Sequence, residues 1–353
     1  MGKLAVYKYF SFMFLIVTFM SAIFTIAGIF GGNANPARNT ALAMLVYILP
    51  FLIILNVLIL IFWLVRRRWH WAAIPFITLL CCIPYSRTIY KFPFEGGSED
   101  AEKVSGMKIA TYNVCMFGQE VTGFRAEDIL SEMKKQNVEV LCMQEYNDQS
   151  GDKKNSESYK EYYPYMATGR EDMVIYSRYP IKNSKTILFE ATNNSAMWAD
   201  IEINNKIIRV FNVHLETTGF NRTLRQAAKL QAKGMHVEDN AIIRAIYGNY
   251  TLGMMVRAGQ ATTVANEIRM SEEPCVVCGD FNDVPYSYVY NIMKGDMTDG
   301  FKECGNGFMN TFRGSKQVRI DYIFHDKNLK GLTYYKQELS YSDHYPVFMK
   351  IEL

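Results

Sequence analysis

The sequence predicts a two-part protein: a hydrophobic helical segment, then one α/β or α+β domain whose sheets are covered by helices. Three observations predict it. Uncharged apolar runs crowd the first 90 residues. Acidic residues begin only at Glu95. From residue 107 onward, short strand-like apolar runs alternate with stretches of helical spacing.

The first part is defined by three runs. Tyr9–Phe30 is uncharged over 22 residues, long enough to span a bilayer core of about 30 Å. Ala41–Val65 is a second, with a kink expected at Pro50, and it stops at Arg66, Arg67 and Arg68. Trp71–Tyr85 is shorter and holds Pro75 and Pro84. It either crosses with tilt, over about 71–87, or lies in the interface, where Trp69 and Trp71 suit an aromatic belt. The alternative for the first run is a cleaved signal peptide with Lys3 and Lys8 as its basic region. The run exceeds the usual apolar stretch of such peptides, and a second strong span follows. The reading is therefore a membrane anchor over 1–90 with two to three helices (about 9–30, 41–65 and 71–87).

Orientation follows from Lys/Arg bias in short loops. Lys3 and Lys8 favour an inside N-terminus, the loop Gly31–Thr40 carries only Arg38, and Arg66–Arg68 return to the inside. Three spans then put the remainder of the chain outside the cytoplasm, and two put it inside. The expectation is an integral membrane protein of the cell membrane with an extracytoplasmic domain. Residues 91–106, rich in Gly, Ser and charge, read as a linker.

Charge separates the two parts. The net +3 comprises +5 in residues 1–106 (9 Lys/Arg, 4 Asp/Glu) and −2 in 107–353 (29 and 31). A near-neutral second part lacks the basic balance of a non-specific nucleic-acid binder, although a local basic groove would suffice. Seven cysteines suggest neither a disulfide framework nor a zinc site. Cys275 and Cys278 have C-x-x-C spacing, but in a buried strand their thiols face opposite ways. All seven read as packing residues.

Within 107–353 the expected strands are Lys108–Asn113, Val138–Met143, Met173–Tyr176, Ala196–Ile203, Lys206–Val213, Pro274–Cys278, Arg319–Phe324 and Pro346–Ile351. Phe124–Gln136 is helical, with Ile129 and Met133 on one face, and Asn221–Lys233 is a basic helix. His236–Glu267 reads as an extra helical hairpin shaping the site mouth, or a packed helix. The tyrosines at 162–165 and at 286, 288 and 290 either stack on substrate or pack.

Several apolar runs end in a carboxylate, carboxamide or imidazole: Asn113, Glu145, His214, and Asp280 with Asn282; Asp321 opens Asp-Tyr-Ile-Phe, and Asp343 with His344 precedes the last strand. Strand ends that converge on one edge form a site. Attack of water on a phosphoester adds charge to the phosphoryl oxygens, and a hard cation held by carboxylates can neutralise it. Glu145 is the best ligand, Asp343 the next, and Asn113 can position metal or phosphate. Asp280 suits the general base, with Asn282 orienting water or phosphate. Cationic His344 would stabilise developing charge, held by Asp321. His214 would hydrogen-bond a phosphoryl oxygen.

Six motifs in order carry a resemblance: Met107–Val114 (MKIATYNV), Met143–Glu145 (MQE), Asn212–Leu215 (NVHL), Gly279–Asn282 (GDFN), Asp321–Phe324 (DYIF) and Ser342–Pro346 (SDHYP). They resemble the endonuclease/exonuclease/phosphatase superfamily, the deoxyribonuclease-like hydrolases, over nearly all of 107–353. Met173–Ile181 (MVIYSRYPI) is similar to that family's strand and turn. The resemblance implies an α+β, four-layer α/β/β/α sandwich, Mg²⁺ or Mn²⁺ as cofactor, and the roles given above. In one departure, Cys115 stands where some family nucleases carry a further metal-binding Asp, which argues against a repair-type apurinic endonuclease.

The expected function is a membrane-anchored, metal-dependent phosphoesterase acting on a phosphodiester or phosphomonoester such as a lipid headgroup. The alternatives are an extracytoplasmic nuclease and a non-catalytic membrane-tethered binding module. Phosphoester substrate and membrane are the partners indicated; no obligate protein partner is, and net charge does not indicate nucleic acid. His236 and His325 read as surface or packing residues.

Overall fold

The structure, a computed structural model, describes residues 3–92, 104–115, 126–146, 159–170, 172–190, 192–217, 219, 228–229, 239–313 and 317–353. Of the basic helix expected over Asn221–Lys233 only residues 228–229 are described, both helical, and His236 and most of the linker lie outside the described residues. Two compact units form, Met1–Thr88 with Tyr286–Asn291, and Ile89–Pro285 with Ile292–Leu353.

The first unit is helical: α1 (Lys3–Gly31), α2 (Thr40–Met44), a 3-10 turn (Leu45–Ile48), α3 (Leu49–Val65), α4 (Trp69–Cys81) and α5 (Ile83–Ile89). Tyr9–Gly31 and Thr40–Val65 are each long and apolar enough to cross a membrane, and α4 with α5 is a pair bent by 49° that qualifies together. The break expected at Pro50 takes the form of the 3-10 turn just before α3. Pro50 then sits in the first helical turn, where its missing N–H costs nothing. Polar groups tie α1 to α3. Asn56 Nδ2 donates to Ser21 Oγ (2.9 Å) and Thr25 Oγ1 (2.8 Å), and Trp63 Nε1 to Thr18 Oγ1 (2.9 Å). In an apolar surrounding such bonds specify helix pairing that hydrophobicity alone does not.

The second unit holds two six-stranded sheets. One runs β13 (Lys330–Lys336), β14 (Val347–Glu352), β2 (Met107–Asn113), β3 (Val140–Gln144), β5 (Met173–Ser177) and β4 (Tyr165–Thr168). The other runs β10 (Thr298–Asp299), β12 (Asp321–His325), β9 (Cys275–Asp280), β8 (Lys206–His214), β7 (Ser195–Ile203) and β6 (Ile181–Leu188). A small ribbon pairs β1 (Tyr90–Lys91) with β11 (Gly307–Phe308), so the expected linker begins as strand.

Alternation along the central strands builds two cores. Ile109, Val140, Cys142 and Ile175 face Met197, Ile201, Val210, Cys278 and Ile323 between the sheets. Ala110, Tyr112, Leu141, Met143 and Val174 point outward and are covered by Ile129 and Met133 of α6 (Ala126–Lys135). Each such fully buried aliphatic side chain contributes about 1.5–3 kcal/mol. The expected hairpin over His236–Glu267 is instead one 31-residue helix, α7 (Asp239–Arg269). Met254, Ala258, Ala261 and Ala265 form a buried stripe along its C-terminal part, while 240–252 hold no buried residue. Helices α8 (Tyr288–Lys294) and α9 (Gly300–Cys304) follow. The result is α+β, a sheet-on-sheet sandwich with helices outside. All seven cysteines are free; Cys275 and Cys278 are both buried. Tyr163 is buried in the outer core, and His325 is buried with Nε2 on Glu303 Oε2 at 2.7 Å.

Candidate active site

Strand register brings the polar ends together. The parallel pair β8–β9 sets His214 beside Asp280, and the antiparallel pair β9–β12 sets Asp280 beside Asp321. In the other sheet, parallel β2–β3 aligns Asn113 with Gln144, which leaves Glu145 one residue beyond.

Other motif residues make this register possible. Gly279 has φ +137°, and a Cβ there would lie 2.0 Å from the Val213 carbonyl oxygen, so only glycine lets β9 approach β8. Gln144 Nε2 donates to Asn212 Oδ1 (2.6 Å) and Thr111 Oγ1 (3.0 Å), and Asn212 Nδ2 donates to the carbonyls of Met143 and Val174. These buried amides lock one sheet to the other immediately behind the site. Ser342 Oγ donates to the Asn113 carbonyl (2.7 Å) and accepts from the His344 amide (3.1 Å), which fixes the loop carrying His344. Glu145 and Asn282 both hold left-handed backbone, φ 52° and 51°. Such strain in non-glycine residues concentrates at functional sites.

The site is built from two imidazole arms around a central amide. Asn113 Nδ2 donates to Glu145 Oε1 (3.0 Å) and Asp280 Oδ2 (3.1 Å), bridging the two sheets. Its Oδ1 accepts from the Cys115 amide (3.0 Å). On one side, His344 Nδ1 lies 3.0 Å from Asp321 Oδ2 and Nε2 lies 3.7 Å from Asp280 Oδ2. On the other, His214 Nδ1 lies 3.2 Å from Asp172 Oδ2 and Nε2 lies 3.7 Å from Glu145 Oε1. Asn282 donates its amide N–H to Asp280 Oδ1 (2.8 Å) and its Nδ2 to the Leu215 carbonyl (2.9 Å). Asp343 is exposed beside His344, its Oδ1 3.4 Å from Ser342 Oγ.

Electrostatics follow from burial and these partners. Burial works to lower the His344 pKa, but Asp321 and Asp280 outweigh it and raise it to about 10. His344 is therefore a cation at neutral pH. His214 is raised too: burial opposes, and Asp172, Asp280 and Glu145 prevail. Burial pushes Asp280 up to about 6, against the pull of His344 and with repulsion from Asp321 adding to it. Ligand atoms of Asp280, Asp321 and His344 come within 4.8 Å of one another. A protonated imidazole is no metal ligand, so this group reads as a proton-handling cluster. The oxygens of Glu145 and of Asn113, which lies between Glu145 and Asp280, are hard donors that suit a divalent cation, whereas Asp343, the second expected ligand, is exposed beside His344 and has no described contact with Glu145.

Of the residues singled out from sequence, Asn113, Glu145, His214, Asp280, Asn282, Asp321 and His344 come together. Three further residues join them. Asp172 orients His214, and its only sequence signal is an acid directly preceding the Met173–Ser177 strand. Arg257 of α7 is completely buried; its Nε donates to Asp283 Oδ2 (3.2 Å) and its NH1 to the Glu216 carbonyl (2.9 Å). Gln260, one turn on, accepts from the Glu216 amide (2.7 Å). Both hold loops that adjoin His214 and Asn282, and nothing local in α7 distinguishes them from a solvated helix face.

Comparison with known proteins agrees with this geometry. The model of the Endonuclease/Exonuclease/phosphatase family matches residues 110–344, and a domain of unknown function (DUF8431) matches 11–89. No curated protein matches the chain. An endonuclease/exonuclease/phosphatase structure from Bacteroides vulgatus is 19% identical with a TM-score of 0.50, the match covering 70% of this chain and 99% of that one. Another from Beutenbergia cavernae is 15% identical with a TM-score of 0.50, covering 70% and 72%. These likenesses concern the fold, and the family match spans the site. The chain belongs to the Endonuclease/Exonuclease/phosphatase family and is a divalent-metal-dependent hydrolase of phosphoric esters.

Proposed function

We propose that this protein is a membrane-anchored phosphoesterase that cleaves a phosphodiester or phosphomonoester by in-line attack of water, on a substrate at the membrane such as a lipid headgroup. The observation that carries the reading is the pair of carboxylate-held imidazoles flanking Asp280. Asp280, buried against cationic His344, takes the proton of the attacking water. His344, fixed by Asp321, faces the developing charge, and His214, fixed by Asp172, donates to a phosphoryl oxygen. Asn282 orients the water or phosphate. Glu145 holds the cation, with Asp343 the next candidate. Asn113 places Glu145, and half a turn of its amide would present Oδ1 in place of Nδ2. When bound there, Mg²⁺ (or Mn²⁺) would neutralise phosphoryl charge and acidify water.

Two or three apolar spans support the anchor; Lys3, Lys8 and Arg66–Arg68 favour an inside tail and second loop, and a third span through α4 and α5 would then carry the catalytic unit outside the cytoplasm. The near-neutral charge of 107–353 does not favour a nuclease. Full-length protein in detergent should turn over bis(p-nitrophenyl) phosphate or p-nitrophenyl phosphate with Mg²⁺ or Mn²⁺ and stop with EDTA. Asp280→Asn should lower kcat by about 10³-fold. Metal-independent turnover, or turnover unaffected by that change, would overturn the mechanism. Protease added to sealed cells should digest the catalytic unit; its protection would establish the two-span topology instead.

A further inference from the structure

We infer that Thr311 is a positioning residue for catalysis: its hydroxyl holds Asp321 and its backbone holds the loop that carries His344, so one buried residue sets the spacing of that pair. The inference rests on the phosphoester reading above and adds a residue that lies outside the six sequence motifs.

The two members of the pair come from different sheets. Asp321 opens β12 in one, and His344 lies in the loop just before β14 of the other. Register fixes Asp321 against Asp280 on one edge of β12. On the other edge the two-residue strand β10 pairs with His325 and Phe324 and stops short of Asp321. Thr311 takes over at that point. Its Oγ1 accepts from the amides of Ile320 (3.0 Å) and Asp321 (3.1 Å), which uses both lone pairs of the hydroxyl. Its own amide donates to the Val318 carbonyl (2.9 Å). The chain entering β12 is thus gripped twice by one residue, and Thr311 is completely buried there.

The same residue and its two successors grip the His344 loop. The Thr311 carbonyl accepts from the Tyr345 amide (2.7 Å). Phe312 bridges His344 as an antiparallel pair, and its ring stands T-shaped to the imidazole with centroids 5.1 Å apart. The Arg313 amide donates to the Asp343 carbonyl (2.7 Å), and its NH1 donates to the Ser342 carbonyl (3.0 Å). Residues 311–313 are therefore a strap between the start of β12 and the His344 loop. The consequence is geometric. His344 Nδ1 meets Asp321 Oδ2 at 3.0 Å and Oδ1 at 3.2 Å, a two-point contact that orients the ring only while the two backbones keep their separation. An apolar side chain of the same shape at 311 would leave two adjacent buried amides without this acceptor. The start of β12 would then shift to satisfy them, and a misplacement of about 1 Å can cost about 10²-fold in rate.

The test is a mutant cycle in full-length protein in detergent with Mg²⁺, with bis(p-nitrophenyl) phosphate or p-nitrophenyl phosphate as substrate. Thr311→Val should lower kcat by about 30-fold with KM little changed. In an Asp321→Asn background, where the pair is already broken, the same change should cost less than about threefold. Thr311→Ser keeps the acceptor and should keep most of the activity; Thr311→Cys, a weak acceptor, should fall between Ser and Val. Equal losses in the two backgrounds, or a Ser variant no better than Val, would overturn the positioning role. If the Val variant does not fold, the Ser and Cys variants make the same cycle. A second readout is independent of turnover. Amide hydrogen exchange of Thr311→Cys should quicken in both 318–325 and 342–348 and stay unchanged in β3. Faster exchange on one side alone, or throughout the fold, would overturn the strap. Failure of the wild-type protein to cleave either ester would overturn the phosphoesterase reading, and the exchange result would still decide whether Thr311 joins the two segments.

Discussion

The two imidazoles of the site have the same design and different surroundings. Each presents Nδ1 to an outer carboxylate and Nε2 to an inner one. The His344 arm is sealed: side chains of Asp321 and Asp280 are each 1% exposed. The His214 arm is open: Asp172 is 25% exposed and Glu145 33%. Buried carboxylates act through a low dielectric and hold His344 charged up to about pH 10, whereas water screens the partners of His214. The sealed arm suits a permanent cation opposite the reacting phosphate. The open arm suits an exchangeable hydrogen bond next to Glu145.

Removing the outer carboxylates tests that contrast most severely. Asp321→Asn should lower kcat by about 10³-fold, because His344 loses both its orientation and the main source of its charge. Asp172→Asn should cost only about tenfold, since solvent can replace a partly exposed partner. Equal losses in steady-state kinetics would show that the arms are equivalent and that exposure does not separate their roles.

The pH profile sharpens the same comparison with a smaller effect. Catalysis needs Asp280 ionised, so kcat/KM should rise with pH through about 6, or lower when a bound cation assists ionisation. It needs His344 protonated, so activity should persist until pH approaches about 10. An acid limb above pH 7 would remove Asp280 as the base. An alkaline limb near 7 would show that the sealed arm holds no permanent charge.

The smallest catalytic effect is expected at Arg257, which positions the loops of the open arm through Glu216 and Asp283. Arg257→Met leaves the Asp283 carboxylate buried without its charge partner and should destabilise the fold by about 3–5 kcal/mol in chemical denaturation. At temperatures where the variant is folded, kcat should fall about tenfold with KM for a small aryl ester little changed, and Arg257→Lys should restore part of it. A loss of kcat as large as that of Asp321→Asn would put Arg257 among the groups that act on the reacting phosphate.

Much of this molecule is legible before any coordinates. The central strands β2, β3, β5, β8 and β9 are buried on both faces, so they read as continuous apolar runs. The edge strands β4 and β6 are exposed on much of their length and β13 is half-buried; all three carry mixed polar sequences and are absent from the sequence reading for that reason. Helix α7 reads ambiguously because Gly253 and Gly259 suggest turns that the stripe buried from Met254 to Ala265 overrides.

Composition and motif alone carry the apolar spans, the family and seven residues that meet in the site, because each of the seven lies in a short motif at one end of a buried strand. Their pairing follows from sheet register. Asn113 reaches Asp280 across 167 residues, and Gln144 joins Asn212 across 68. The parts played by Asp172, Arg257 and Gln260 were set by long-range packing as well. Their function comes from neighbours brought close by sheet register and helix packing, and local composition carries no trace of which distant carboxylate or carbonyl a side chain will meet.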